Sequence, residues 1–294
     1  MVISAYLAER RAMVDAALDT WLPSTSAEPA RLHEAIRYSM LAPGKRLRPI
    51  LVLAGAEAVG GQAETVLRTA CALECIHVFS LIHDDLPCMD NDDYRRGRLT
   101  SHKVYGEAMA MLAGDALLTL AFELVADNGV EVAPDRVVAA LKLISNATGT
   151  WGMVGGQVVD IESEGKQIGL EALEYIHSHK TGALLTASSL AGALLCGADE
   201  QQQERLRSYG RSIGLAFQIA DDILDIVGDE QKIGKPVGSD ESNDKATYPK
   251  LFGLDESRRM AREEVSRAVA ALEGFGQRAE PLRAIARYIV ERDL

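Results

Sequence analysis

The chain has 294 residues, 47% of them hydrophobic and 25% charged, with a formal net charge of −12 at pH 7. That composition excludes a disordered or fibrous chain and allows one large core or two smaller ones. The acidic excess argues against nucleic acid as a partner, because a phosphate backbone selects basic surfaces; a small phosphorylated ligand needs only a few local cations and stays open.

Apolar residues recur at three- and four-residue spacing almost throughout, and no alternating stretch stands out, so the expected fold is all-α. Helices are expected near 2–20, 28–42, 47–60, 63–85, 101–127, 134–150, 170–197, 200–228, 255–273 and 280–292, with loops or broken helix over 86–100, 151–169 and 229–250. The first of these carries Glu9, Arg10, Arg11 and Asp15 at helical spacing, unlike an apolar targeting core. Pro134 with Asp135, and Pro281 after Glu280, suit first helical turns. The longest uncharged run, Thr181 to Ala198, is about long enough to span a bilayer. Its small and hydroxyl residues fit a buried core helix better, and the chain is read as cytoplasmic with no membrane span. Cys71, Cys75, Cys88 and Cys196 match no zinc spacing; Cys71 and Cys75 lie four apart on one helix and read as reduced core thiols. No linker or fixed-period repeat divides the chain, so a single domain over 1–294 is expected.

Chemistry enters at "HDDLPCMDNDDYRRGR", positions 83 to 98, which gathers Asp84, Asp85, Asp90, Asp92 and Asp93 beside Arg95, Arg96 and Arg98. Asp84 and Asp90 would lie on different faces of a straight helix. Pro87, however, disfavours helix at Leu86, so the chain can turn back and bring Asp90 towards Asp84. A second motif, "QIADDILD", puts Asp221 and Asp225 four apart on one face of a largely apolar helix, where unpaired like charges are costly. Both motifs point to a cation held by carboxylates, with an exposed and merely solvated face as the alternative for the second. All-oxygen sites without a dedicated cage suit Mg²⁺, which keeps waters and is usually shared with substrate phosphates. An EF-hand loop counted from Asp90 would need glycine where Arg95 stands, and no histidine pair has zinc spacing.

The cations come in islands: Lys45, Arg46 and Arg48; Arg95, Arg96 and Arg98; Lys180; and Lys235. Arginine forks and lysine point charges both suit phosphate oxygens. Any one island alone would read as a surface patch, but two aspartate clusters with several basic islands in one helical domain ask for an anion such as diphosphate. The polar stretch from Gly228 to Pro249, which contains Lys235, reads as a lid or as a solvated loop.

The segments "GKRLRP" (Gly44 to Pro49), "HDDLPCMDNDDYRRGR", "GMVGGQVVDIE" (Gly152 to Glu162), "HKTGALLTAS" (His179 to Ser188), "FQIADDILD" (Phe217 to Asp225) and "GKPVGSD" (Gly234 to Asp240) follow one another in an order that closely resembles the short-chain trans-prenyltransferases. Within that family the match is to the bacterial farnesyl diphosphate synthases. The resemblance implies an isoprenoid-synthase-type bundle of about ten core helices around a central cavity, usually homodimeric. It implies three Mg²⁺ ions, with Asp84, Asp90 and Asp221 as ligands and Asp85 and Asp225 as weaker ligands. Arg95, Lys180 and Lys235 would hold an allylic diphosphate, dimethylallyl or geranyl. Lys45, Arg48, His77 and Arg96 would grip isopentenyl diphosphate without metal. Thr181 and Gln218 would orient or stabilise the allylic cation, Thr181 having a helix-capping alternative; Gln157 would line the same cavity, and Arg292 near the C-terminus would approach the isopentenyl site.

A growing chain descending along the helix of Asp84 would meet Ser80 and Phe79 roughly 6–7.5 Å below it. A small Ser80 beside a bulky Phe79 resembles enzymes that stop at fifteen carbons, giving farnesyl diphosphate. Phe79 stands about 140° from Asp84 on an ideal helix, so an ordinary core aromatic is the alternative. Rival functions are a geranylgeranyl diphosphate synthase, a terpene cyclase, a non-catalytic partner subunit and a metal-dependent phosphohydrolase.

Overall fold

A computed structural model of the chain describes residues 2–227 and 246–291. Helices form at every expected place among them. They are α1 (Ile3–Trp21), α2 (Ala30–Met40), α3 (Leu47–Ala58), α4 (Leu67–Asp84), α5 (Ser101–Tyr105), α6 (Glu107–Ala126) and α7 (Pro134–Thr148). After α8 (Met153–Ser163) and α9 (Leu170–Ile176) come α10 (Ala183–Leu195), α11 (Glu200–Val227), α12 (Tyr248–Phe252), α13 (Leu254–Ala271) and α14 (Glu280–Glu291).

Packing runs as a relay. α6 lies on α4, α4 on α3, α3 on α10, α10 on α11 and α11 on α13. The uncharged run in α10 is interior: Ser188 and Ser189 are fully buried and donate back to the carbonyls of Leu184 and Leu185. Returning its hydroxyls to its own backbone lets a small-residue helix sit at the centre without unpaired polar groups. Two helical spans are long and apolar enough to cross a membrane, Glu64–Asp84 and Glu107–Val130. In the first, 67% of the apolar window is buried inside the protein, so its apolarity belongs to the core. In the second, which contains α6, only 39% is buried.

Four expectations are corrected locally. The 86–100 loop contains a hairpin, β1 (Tyr94–Arg95) paired antiparallel with β2 (Arg98–Leu99). Its two-residue turn, Arg96-Gly97, has φ of 54° and 73°, the left-handed pair that a type I′ turn demands. The helix expected over 101–127 breaks at Gly106, whose φ is 88°. Residues 153–163, within a stretch expected as loop or broken helix, form the intact helix α8, because its glycines pack rather than break it. The helix expected over 170–197 is interrupted by a π-helical turn, His177–Gly182, which keeps the chain's direction and so leaves no breaker in the sequence.

Candidate active site

The site grows from the end of α4. Leu86 and Pro87 close the helix, and the chain folds back through a turn in which the N–H groups of Met89 and Asn91 donate to the Leu86 carbonyl (2.9 and 3.1 Å). The Asp90 N–H then donates to the Asp84 carbonyl at 2.9 Å, which brings the two aspartates of the first motif side by side. Burial pushes the Asp84 carboxyl above its ordinary range and Asp90 adds to this, while Lys180 and Arg95 pull it back.

Lys180 comes from the π-helical turn, which is clamped between α8 and α11. A β-carbon at Gly156 of α8 would lie 2.2 Å from the Lys180 amide nitrogen, and one at Gly214 of α11 would lie 2.9 Å from the Gly182 Cα. Only glycine lets the three backbones meet. One helical turn after Gly156, Asp160 accepts from Lys180 Nζ at 2.6 Å. Asp160 went unassigned from sequence because its segment was expected as loop or broken helix; read as helix, its i,i+3 spacing to Gln157 puts both on one side of α8. Gln157, Thr181 and Gln218 are all half-buried.

The second motif divides its labour. Asp221 is exposed, Asp225 half-buried, and Asp222 buried. Asp222 accepts the Tyr248 N–H at 2.9 Å and lies 3.9 Å from His177 Nε2. His177 stacks on Tyr248 with ring centroids 5.7 Å apart. Burial drives the His177 imidazole down to about 4, so it is neutral at pH 7. Asp222 and His177 thus tie the π-helical turn to α11 and α12, a role that the sequence motif alone did not distinguish from metal binding.

On the other side of Asp84 the cations converge. Arg48 from the start of α3, His77 from α4 and Arg96 from the hairpin share one electrostatic neighbourhood. Burial lowers Arg48 to about 10, with Arg96 adding to the fall, and its Nε is buried without a hydrogen-bond partner. His77 is held well below its ordinary value by burial and by Arg48, Arg96, Arg95 and Arg46, so it stays neutral. Guanidinium groups gathered against such desolvation and mutual repulsion are the kind of arrangement that a bound anion would stabilise. The hairpin is fixed by Arg98 over the Tyr38 ring at 4.1 Å and by the Tyr38 hydroxyl donating to the Leu99 carbonyl at 2.8 Å.

Arg46 does not belong to this island, contrary to the expectation from "GKRLRP". Its φ is 51°, and it turns inward to Glu74, itself 1% exposed, at 2.8 Å, and to Asp15 at 2.8 Å. It also donates to the carbonyls of Met40 and Ala42. Lys45 is exposed. Asp85, 3% exposed, receives Arg95 Nε at 2.5 Å, and burial raises its carboxyl to about 6. Both side chains are thereby turned to each other. Lys235 and Arg292 lie outside the described residues.

Ser80 donates to the His77 carbonyl at 2.8 Å, and Phe79, 8% exposed, packs in the core beside α6. Among the described residues no three histidine, cysteine or acidic side chains converge as a closed metal cage. The oxygen donors Asp84, Asp90 and Asp221 fit a hard cation that completes its shell with water and substrate oxygens, which is the habit of Mg²⁺.

Known proteins resemble this chain over nearly its whole length. A dimethylallyltranstransferase of Fischerella ambigua is 51% identical over 98% of this chain and 83% of its own length. A geranylgeranyl diphosphate synthase of Cyanophora paradoxa is 50% identical over 98% and 96%. The apo crystal structure of an FPP/GFPP synthase from Zymomonas mobilis superposes with a TM-score of 0.88 at 40% identity, covering 98% of each chain. The sequence profile described as polyprenyl synthetase matches residues 29–284, and the chain belongs to that family.

Proposed function

We propose that this protein is a trans-prenyltransferase that joins isopentenyl diphosphate to dimethylallyl or geranyl diphosphate and releases farnesyl diphosphate. One observation carries the reading: two charge environments of different kind meet at the end of α4. One pairs carboxylates with a single lysine, Asp84 and Asp90 beside Lys180 and Asp160. The other gathers Arg48 and Arg96 around His77, with Glu74 as the main carboxylate influence on the two arginines. The first suits a diphosphate that must leave, the second a diphosphate that must stay.

Asp84, Asp90 and Asp221 would hold the Mg²⁺, three ions by the family's habit, with Asp225 further out. Bound Mg²⁺ supplies Lewis-acid stabilisation of the charge that develops on the leaving diphosphate. Lys180, oriented by Asp160, adds a fixed cation to the same end. Arg48 and Arg96 grip the isopentenyl diphosphate, and neutral His77 offers it a hydrogen bond. Thr181 and Gln218 turn oxygen dipoles towards the allylic cation formed as the C–O bond breaks. The isopentenyl double bond attacks that cation, and a proton is lost to the released diphosphate. Lys235, with Arg95, would close on the allylic diphosphate and keep water from the cation.

Phe79 supports the fifteen-carbon product as the floor beneath the allylic chain. The twenty-carbon reading is favoured by the name of the Cyanophora relative. Incubating the protein with Mg²⁺, isopentenyl and geranyl diphosphates, then sizing the dephosphorylated products, separates the two. Mainly farnesol supports the proposal, mainly geranylgeraniol supports the longer product, and no condensation removes the enzyme reading. The apolar face of α6, where Met111 and Leu112 are exposed, supports a homodimer in which a second copy covers it. Leu112→Glu should convert dimers to monomers in sedimentation; a wild-type monomer sinks this part.

A further inference from the structure

His83 has no place in the chemistry above, yet its ring lies against the α6 backbone at the α4–α6 contact. A β-carbon at Gly114 of α6 would lie 2.2 Å from His83 Nε2 and 2.5 Å from Cδ2, so the imidazole fills the notch that this glycine leaves. Nε2 lies 3.1 Å from the Met111 carbonyl, to which it donates, and 3.8 Å from the exposed Asp115 carboxylate. One helical turn earlier, Phe79 meets the same ring edge-to-face, with centroids 4.8 Å apart and planes at 75°. Phe79 therefore cannot shift towards α6 without displacing His83, and His83 cannot retreat because α6 backbone lies behind it.

We propose that His83 and Gly114 are positioning residues for product length: the stop beneath the allylic chain is the stack Phe79–His83–Gly114, not a lone aromatic. The inference rests on the reading of Phe79 as the floor. An edge-to-face ring pair is a preference that biases one rotamer over others, and near-contact packing against backbone turns that bias into a wall. A side chain on α6 that never touches substrate then sets how deep the pocket is.

The test is the ratio of twenty- to fifteen-carbon product, measured with Mg²⁺, isopentenyl diphosphate and geranyl diphosphate on full-length variants whose folding is checked by circular dichroism. Phe79→Ala and His83→Ala should each raise the ratio, His83→Ala by roughly two- to tenfold, the range one such ring pair is worth. The double variant should exceed Phe79→Ala by less than twofold, because His83 acts through Phe79. His83→Phe, which keeps a ring in the notch, should restore the wild-type ratio. Gly114→Ala should lower the ratio by pushing His83 onto Phe79, and it decides the matter where His83→Ala does not fold. A raised ratio in Phe79→Ala with His83→Ala and Gly114→Ala both at the wild-type ratio overturns the stack and leaves the floor standing. An unchanged ratio in Phe79→Ala overturns both.

Discussion

Gly156→Ala puts the site's architecture to its most direct test. The added β-carbon would lie 2.2 Å from the Lys180 nitrogen, 2.7 Å from its Cα and 2.8 Å from the His179 carbonyl carbon. Ordinary contact begins near 3.4 Å, and none of these backbone atoms can rotate away, so α8 must recede by about 1 Å. Asp160 rides on α8, and its 2.6 Å contact with Lys180 would open beyond hydrogen-bonding distance. On propensity alone, Gly→Ala within a helix stabilises by roughly 0.5–1 kcal/mol; overpacking of this kind costs about 1–3 kcal/mol. The expected net is a loss of stability, read by urea unfolding. The expected rate loss is larger, because about 1 Å of misplacement at a reacting centre costs on the order of 10²-fold. Gly129→Ala, where an added β-carbon meets nothing within 4 Å, is the control. If condensation by Gly156→Ala keeps within about threefold of wild type, the α8 contact does not set Lys180 and the reasoning fails.

Other outcomes follow from the same geometry. His177 is held from 6.5 down to about 4 by burial, so the unfolded chain binds its proton at higher pH than the folded one. The stability this gives is complete above pH 6.5 and is lost as pH falls towards 4, by up to about 3 kcal/mol. Unfolding curves at stepwise lower pH should show the fall in wild type and a flatter one in His177→Asn; parallel curves refute it. Arg48→Ala and Arg96→Ala should raise KM for isopentenyl diphosphate by about 10- to 100-fold, the worth of one charge-assisted hydrogen bond, with a smaller change for geranyl diphosphate. Equal effects on both substrates would show that the cationic cluster does not discriminate between them. Asp160→Asn should lower kcat more than it raises either KM, and a pure KM effect would remove Lys180 from the leaving-group end.

The places where sequence and structure part company share a physical cause. Helical periodicity is a one-dimensional signal, so the helices and the buried character of α10 were legible. Pro87 was legible too, because a proline constrains the residue beside it whatever the tertiary context. Close approach between backbones is not written in one segment. The stretch around Gly156 reads as loop or broken helix until Lys180 is seen against that glycine, and the π-helical turn keeps the apolar pattern on both sides. Arg46 and Arg48 are two residues apart and chemically alike. Their opposite fates depend on Glu74 and Asp15, remote in sequence, and on a left-handed backbone at Arg46 that turns its side chain inward.

Glu74 shows how scaffold and site share one charge. It pairs with Arg46, and it is also the chief influence opposing the lowered pKa of Arg48 and of Arg96. Replacing it by glutamine breaks a buried pair, which costs on the order of 3–5 kcal/mol. Arg46 keeps Asp15 and two carbonyls, so about 3 kcal/mol is expected. The effect on the anion site has the opposite sign. Arg48, already near 10, would fall further yet remain charged at pH 7, and the nearby negative charge that weakens the cluster's pull on diphosphate would be gone. Glu74→Gln should therefore melt earlier while its KM for isopentenyl diphosphate falls, by about threefold for a partly screened charge. A raised KM in the folded variant would mean that Glu74 serves the cluster by holding its geometry and not by its charge. The carboxylate would then be a strut, and the anion site would owe its strength to shape alone.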